Sequence, residues 1–334
     1  MIKYIGSKRL LIPKILEIVR SLGDVRRVVD LFSGTGRVAH ALKEDGYDVV
    51  ANDHNAYAYV LARCYVQADR RRLIGKAERL IRELSRVRPR AGYFTETYCL
   101  RSRFFHPKNG ARIDAIREAI ARRDLDPDLQ AIALTSLMEG ADRVDSTTGV
   151  QMAYLKEWAP RALGDLELRL PRVLAGPGRA LCADATDVAA SWDGDLAYVD
   201  PPYNQHSYLG NYHIWESLVR WDKQEVYGVA CKRIACKRYR SAFNSRRSIG
   251  DALRGVIEAL RARYIVVSFS NEGFVTRAQM ESLLGERGTV EVHEIDFRRY
   301  IGARIGIYNP DGKKVGKAGH LTNKEYLYLV RTNG

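Results

Sequence analysis

Apolar residues between positions 25 and 56 change spacing twice. They run first through a β-branched stretch, Val25 to Phe32, then recur at helical spacing through Val38, Ala41 and Leu42, and then run again from Tyr47 to Asp53. A strand, a glycine-containing turn (Ser33-Gly34-Thr35-Gly36), a helix and a second strand make a βαβ unit, which implies a buried parallel sheet. From about Tyr65 to Leu174 the spacing becomes helical. It predicts Arg-rich amphipathic helices over 73–84, 111–122 and 129–139, with an aromatic and basic loop from Tyr93 to Lys108. Strands resume at Arg179–Asp184, Leu196–Asp200 and, after a helix over 249–262, Tyr264–Ser270. Val290–Ile295 and Tyr326–Val330 read as a closing hairpin at the sheet edge. The pattern predicts an α/β core from residues 1–64 and 175–334, interrupted by a mainly helical insertion over 65–174.

Charge sharpens that division. The chain has 334 residues, 54 Lys+Arg and 40 Asp+Glu, a net charge of +14. Residues 70–123 hold 16 of the basic residues against 5 acids, and 232–247 hold seven basic residues and no acid. Such clustering points to a phosphate-rich partner, where a solvated helix face mixes signs. The composition, 46% hydrophobic and 28% charged, excludes wholesale disorder. No apolar run reaches the roughly 18 residues of a membrane span, and the early Lys8, Arg9 and Lys14 do not suit a secretory signal. Five cysteines without a C-x-x-C pair suggest neither a disulfide framework nor a metal site and fit a reducing, cytoplasmic setting.

Two motifs carry candidate chemistry. Gly34-Thr35-Gly36 with Ala39, followed by Asp53, fits a nucleotide-binding turn with an acid for ribose hydroxyls. The turn alone does not separate a nicotinamide dinucleotide from S-adenosylmethionine. Asp200-Pro201-Pro202-Tyr203 follows a strand directly, and so stands where open α/β sheets bind ligands. The two prolines stiffen the turn and lack N–H groups. The Asp200 carboxylate and Pro201 carbonyl make an acceptor pair suited to an exocyclic amino group, and Tyr203 offers a face for an unstacked base.

The ordered set Tyr4-Ile5-Gly6-Ser7-Lys8, Asp30-Leu31-Phe32-Ser33-Gly34-Thr35-Gly36, Asn52-Asp53 and Asp200-Pro201-Pro202-Tyr203 resembles the DNA adenine-N6 methyltransferases of the Dam-like D12 class, with alpha-type motif order. The resemblance implies a Rossmann-like, S-adenosylmethionine-dependent core with a target-recognition module inserted at 65–174. It implies cofactor contacts at Tyr4, Lys8, Phe32, Gly34, Gly36, Asp53 and Asp184, and catalysis by Asp200, Pro201, Pro202 and Tyr203 on a flipped adenine in duplex DNA. Asp187 and Asp195 compete for the place given to Asp184. Arg101, Arg103 and Lys108 in the insertion, and Lys237, Arg238 and Arg240 in the second basic stretch, are the expected DNA contacts.

His206, Tyr208, Tyr212, His213 and Trp215 are read equally well as a closing loop or as a core-facing helix start, and take no assigned role. A general-base His213 is not required by this chemistry. The resemblance also suggests a restriction endonuclease acting separately. Other readings are cytosine-N4 methylation, adenine-N6 methylation of RNA, a non-catalytic DNA-binding module and, at a distance, a nicotinamide-dependent oxidoreductase.

Overall fold

The computed structural model describes residues 1–298, 307–308, 314–316 and 322–333. Seven strands form one sheet: β1 Arg27–Asp30, β2 Asp48–Asn52, β3 Gly178–Leu181, β4 Leu196–Val199, β5 Tyr264–Ser270, β6 Gly288–Arg298 and β7 Thr322–Thr332. They lie in the order β3-β2-β1-β4-β5-β7-β6. The first five pair in parallel, and β7 enters antiparallel between β5 and β6. The order reverses direction between β1 and β4, the switch point at which open sheets of this kind place their ligands.

Alternate strand residues divide the core into two layers. Val28, Val49, Leu196, Tyr198 and Val266 face one layer. Val29, Leu31, Ala197, Val199 and Val267 face the other. Among the described residues, ten helices of seven residues or more cover these faces. They are α1 Ile12–Ser21, α2 Arg37–Glu44, α3 Ala56–Ala62, α4 Arg70–Ser85, α5 Pro107–Ala121, α6 Pro127–Arg143, α7 Ala185–Ser191, α8 His213–Arg220, α9 Ile249–Ala259 and α10 Arg277–Gly285. Helices α7, α9 and α10 pack on the Val29 side, through residues such as Val188, Leu253 and Met280. The others share the Val28 side, and Leu73, Ile116 and Leu137 of the inserted helices join the same apolar cluster as Ile15 and Leu42. No described helix is long and apolar enough to cross a membrane.

The inserted helices each begin before their apolar periodicity does. Asp69 caps α4 through the Arg71 N–H and Asp126 caps α6 through two N–H groups, while Pro107 and Pro127 open α5 and α6. Polar caps and a first-turn proline, not apolar spacing, set those starts. Helix α9 ends at Ala259 because Leu260 is extended.

Not all of the basic charge in 70–123 reaches the surface. Arg117 is 5% exposed and donates to the Leu218 and Val219 carbonyls at the end of α8. Arg112 donates to the Ser85 and Leu166 carbonyls.

Buried Asn52 closes the sheet beneath the ligand face. Its amide donates to the Leu31 and Ala183 carbonyls at 3.1 and 3.2 Å and accepts the Ala183 N–H at 3.1 Å. One side chain thereby clips together the ends of β1, β2 and β3. Asn52→Ala strands these buried backbone groups, and is expected to lower unfolding free energy by roughly 1–3 kcal/mol in a denaturant titration.

Candidate active site

Asp30, Asp53, Asp184 and Asp200 stand at or just past the carboxyl ends of β1, β2, β3 and β4, and all four line one cavity of about 510 Å³. Tyr4, Lys8, Phe32, Gly34 and Pro202 share its wall. The predicted cofactor turn and the Asp-Pro-Pro-Tyr turn are therefore brought together. Gly36 stands outside the lining and shapes the turn instead: it is the N-cap of α2 at φ 73°. Gly34 adopts φ 52°, a conformation that strains any side chain, and a Cβ there would also crowd Tyr4 Cε1 at 3.2 Å.

Each carboxylate is held differently. Asp53 accepts the Gly34 N–H at 2.9 Å and the Asn55 N–H at 2.8 Å, so the predicted ribose acid also locks the glycine turn. Burial still raises its pKa above the ordinary carboxyl range. Asp184 is exposed and caps α7 through the Thr186 N–H at 2.8 Å. Its competitor Asp195 precedes β4 and pairs with Arg263, at the opposite end of the strands. Asp30 is 1% exposed, and its Oδ1 has no hydrogen-bond partner among the described residues. Burial, then the charges of Asp200 and Asp53, raise its pKa well above the usual carboxyl value.

Asp200 meets a cation. Lys8 Nζ lies 3.0 Å from its Oδ1, and that lysine is 6% exposed. Burial pushes the Asp200 pKa up to about 6, against the pull of Lys8. Burial disfavours the Lys8 ammonium, but Asp200 and Glu325 more than offset that and hold its pKa well above the ordinary lysine value. The predicted cofactor lysine thus meets the carboxylate of the Asp-Pro-Pro-Tyr turn directly. Pro201 is buried. Tyr203 packs its ring 5.5 Å from that of Phe269, with Lys8 Nζ 5.6 Å from the Tyr203 centroid. Burial takes its phenol up to about 12, so it stays neutral.

The second basic stretch has more than one character. Arg233 is 1% exposed and binds Asp222 through two nitrogens at 2.8 and 2.6 Å; it is a core ion pair, not a free cation. Lys237, Arg238 and Arg240 are exposed, and Lys237 Nζ sits 4.3 Å from the Tyr227 ring centroid. Residues 239–244 form one wall of the cavity. Tyr239 stacks on His54 at 4.9 Å, Phe243 meets Phe32 edge-on at 5.2 Å, and Asn244 donates to the Asn204 carbonyl. In the insertion, Arg101 is exposed, Arg103 lies over Trp158 at 4.8 Å and Lys108 pairs with Asp165 at 2.9 Å. The adjoining Phe104 and Phe105 are fully buried.

The segment after the turn divides in the same way. Tyr208 lines the cavity, and Tyr4 stacks between Tyr208 and Tyr212 at 5.1 and 4.5 Å. Trp215 and Leu218 face the core. Burial drives the His213 pKa down to about 3, and its Nε2 bonds the Gln151 carbonyl.

With this geometry, comparison with known proteins is decisive. The family model for D12 class N6 adenine-specific DNA methyltransferases matches residues 4–282. The chain belongs to that family. Its relatives include the type II methyltransferase M.NlaIII of Neisseria lactamica, 31% identical across 90% of this chain and 88% of that protein. M.CviAII of Paramecium bursaria Chlorella virus 1 is 30% identical across 90% and 92%. M.FokI of Planomicrobium okeanokoites is 30% identical across 89% of this chain, which spans 49% of that longer protein. This is a site-specific adenine methyltransferase of DNA; the cytosine, RNA and oxidoreductase readings are not favoured.

Sequence reasoning passed over three features at or beside this candidate site. Asp30 ends a strand directly before the glycine turn, a signal that was available. The 239–244 wall was hidden by its positive charge. Glu325, far along the chain, has a Lys8 contact at 3.6 Å that no local pattern encodes. Lys8→Met is expected to move the Asp200 titration above about 6, followed by carboxyl 13C NMR; an unchanged midpoint would deny the ion pair.

Proposed function

We propose that the cavity binds S-adenosylmethionine and that Asp200 to Tyr203 receive the adenine. The observation that carries this reading is a rigid acceptor turn beside a cavity edged by four carboxylates. The carboxyl-edged cavity is a poor setting for a pyrophosphate. A cofactor with an ammonium and a sulfonium suits it, and Asp30 Oδ1, which has no hydrogen-bond partner among the described residues, would accept from that ammonium. Asp53 would hold the ribose hydroxyls and Asp184 the adenine side of the cofactor, between Tyr4, Phe32 and the 239–244 wall.

The bound cofactor supplies an electrophilic methyl group on a sulfonium that departs as a neutral thioether. The adenine N6 lone pair is delocalised into the ring and is a poor nucleophile. Asp200 and the Pro201 carbonyl would accept the two N6 hydrogens, drawing the nitrogen toward tetrahedral geometry at near-attack distance. Asp200 would stabilise the positive charge that grows on N6, an interaction stronger in the transition state than in the ground state, and the surplus N6 proton would then be lost to solvent, leaving the neutral methylamino product. Tyr203 would stack on the extruded base, offsetting part of its unstacking cost of a few kcal/mol.

The region 65–174 would act as the target-recognition module. The segment 147–158 connects the two basic regions: Arg103 donates to the Lys156 carbonyl, and Lys232 Nζ lies 2.9 Å from Met152 Sδ. Arg101, Arg103, Lys108, Lys237, Arg238 and Arg240 are the candidate DNA contacts, with Lys108 the weakest because Asp165 already neutralises it. A separate endonuclease, recognising the same site in the cytoplasm, would complete a restriction-modification pair.

Labelled methyl transfer from S-adenosylmethionine to duplex DNA, run beside RNA, tests the assignment. Asp200→Ala should retain cofactor affinity and lose at least about 10²–10³-fold in turnover; near-normal turnover would sink the mechanism. Because the acceptor must be ionised, the rate should fall as pH drops through about 6, modestly lower with the cationic cofactor bound. Asp30→Asn should weaken cofactor binding by about 1.5–3 kcal/mol in calorimetry.

Charge reversal of Arg101 together with Lys237 should weaken DNA binding and make its logarithmic salt slope shallower by about 0.9 for each phosphate left without its cation. Cofactor affinity should be unchanged. An unaltered salt slope would remove these residues from the interface.

A further inference from the structure

Lys8 is shared. Its ammonium lies 3.0 Å from Asp200 Oδ1 and 3.6 Å from Glu325 Oε2. Glu325 stands in β7, in register with Ser270 of β5 and Ile295 of β6, and is 8% exposed. Its Oε2 takes no hydrogen bond among the described residues. A buried carboxylate held by one shared charge is costly, and stability alone gives little reason for it. Glu325 also lies beyond the residues, 4–282, that the family model matches.

The charge balance supplies a reason. Asp200 and Lys8 alone form a neutral pair, and a neutral pair offers little to an amino group becoming cationic. With Glu325 the cluster carries one net negative charge beside the reacting nitrogen. We propose that Glu325 is a positioning residue for methyl transfer: it draws part of the Lys8 ammonium away, leaving Asp200 a strong acceptor for the N6 hydrogens. The inference rests on the reading of Asp200 as the N6 acceptor.

The groups facing Asp200 can be named. They are Lys8 from the N-terminal turn, Glu325 from β7, Asp30 from β1, Tyr198 on its own strand, Tyr203 in its own turn and Tyr208 in the turn that follows. The three phenols are raised by burial and stay neutral, and Asp30 is held toward its neutral form. Lys8 and Glu325 are left as the opposing charges. Lys8 lowers the Asp200 pKa and Glu325 raises it.

The test compares wild type, Glu325→Gln, Glu325→Asp and Asp200→Asn in single-turnover methylation of duplex DNA across pH. Cofactor affinity and melting temperature are measured on each. Glu325→Gln is expected to bind cofactor within about twofold of wild type and to methylate roughly tenfold more slowly on the pH plateau, less than removal of a direct donor or acceptor would cost. Its acid limb should move to lower pH, because Asp200 no longer has the neighbour that raised it. A packing defect would slow the reaction without that shift. Glu325→Asp keeps the charge, so its limb should stay at the wild-type position with an intermediate rate; this variant also decides the matter if Glu325→Gln does not fold. A wild-type plateau and limb in Glu325→Gln, with Asp200→Asn inactive, would overturn the inference alone. Substantial turnover by Asp200→Asn would overturn the underlying reading of Asp200, and this inference with it.

Discussion

Four adjacent parallel strands each deliver a carboxylate to the same cavity, and this crowding of like charge is the constraint on which the site depends. In water such a cluster would repel itself weakly; at low exposure both repulsion and desolvation grow. The chain resolves it four ways. Asp53 is covered by backbone N–H groups, Asp184 remains in solvent as a helix cap, Asp200 receives Lys8, and the Asp30 Oδ1 stays unpartnered among the described residues. The resulting asymmetry gives the cavity two chemical ends. Near the glycine turn there is an unmet demand for a cation. At the Asp-Pro-Pro-Tyr turn the demand is already partly met, so the carboxylate there can accept from a neutral amino group without binding a cation outright.

The parts of this arrangement legible in the sequence are those encoded within a few residues. The glycine turn, the acid after β2 and the proline pair all require particular residue types at fixed short spacing, and each stands at a strand end as its motif demands. The strands were legible for a related reason: a parallel sheet buried on both faces reads as short apolar runs. What escaped is non-local. Lys8 and Glu325 stand near opposite ends of the chain and meet only because β7 enters the sheet antiparallel beside β5. The second basic stretch misled in a subtler way, since net charge describes the stretch and not its individual side chains. Arg233 is spent inside the core, while Tyr239, Phe243 and Asn244, uncharged residues of the stretch, join Arg240 in the cavity wall.

That wall bears on how the proposed DNA and cofactor contacts relate. Exposed Lys237, Arg238 and Arg240 and the cavity-lining 239–244 belong to one short segment. Its inner side is fixed by aromatic contacts to His54 and Phe32, which flank the carboxylates of β1 and β2. A phosphate bound on the outside and a cofactor inside would thus press on the same few residues.

The inserted helices are tied to the Lys8–Asp200 pair through the first residues of the chain. Helix α6 takes the N-terminal ammonium on Glu139, and Asp142 accepts the Lys3 N–H at 3.0 Å. Burial lifts the Asp142 pKa to about 6 against the opposing charge of Lys3. Residues 1–3 are therefore held by the insertion, and residues 4–8 carry the Tyr4 stack and the Lys8 ammonium. Here the helices of 65–174 share one apolar layer with α1 to α3 and hold the strand of chain that ends at the Asp200 ion pair. A few residues of backbone therefore join the contacts on α6 to the Lys8–Asp200 ion pair, so that, on the proposed reading, the insertion and the acceptor carboxylate are linked through one short segment.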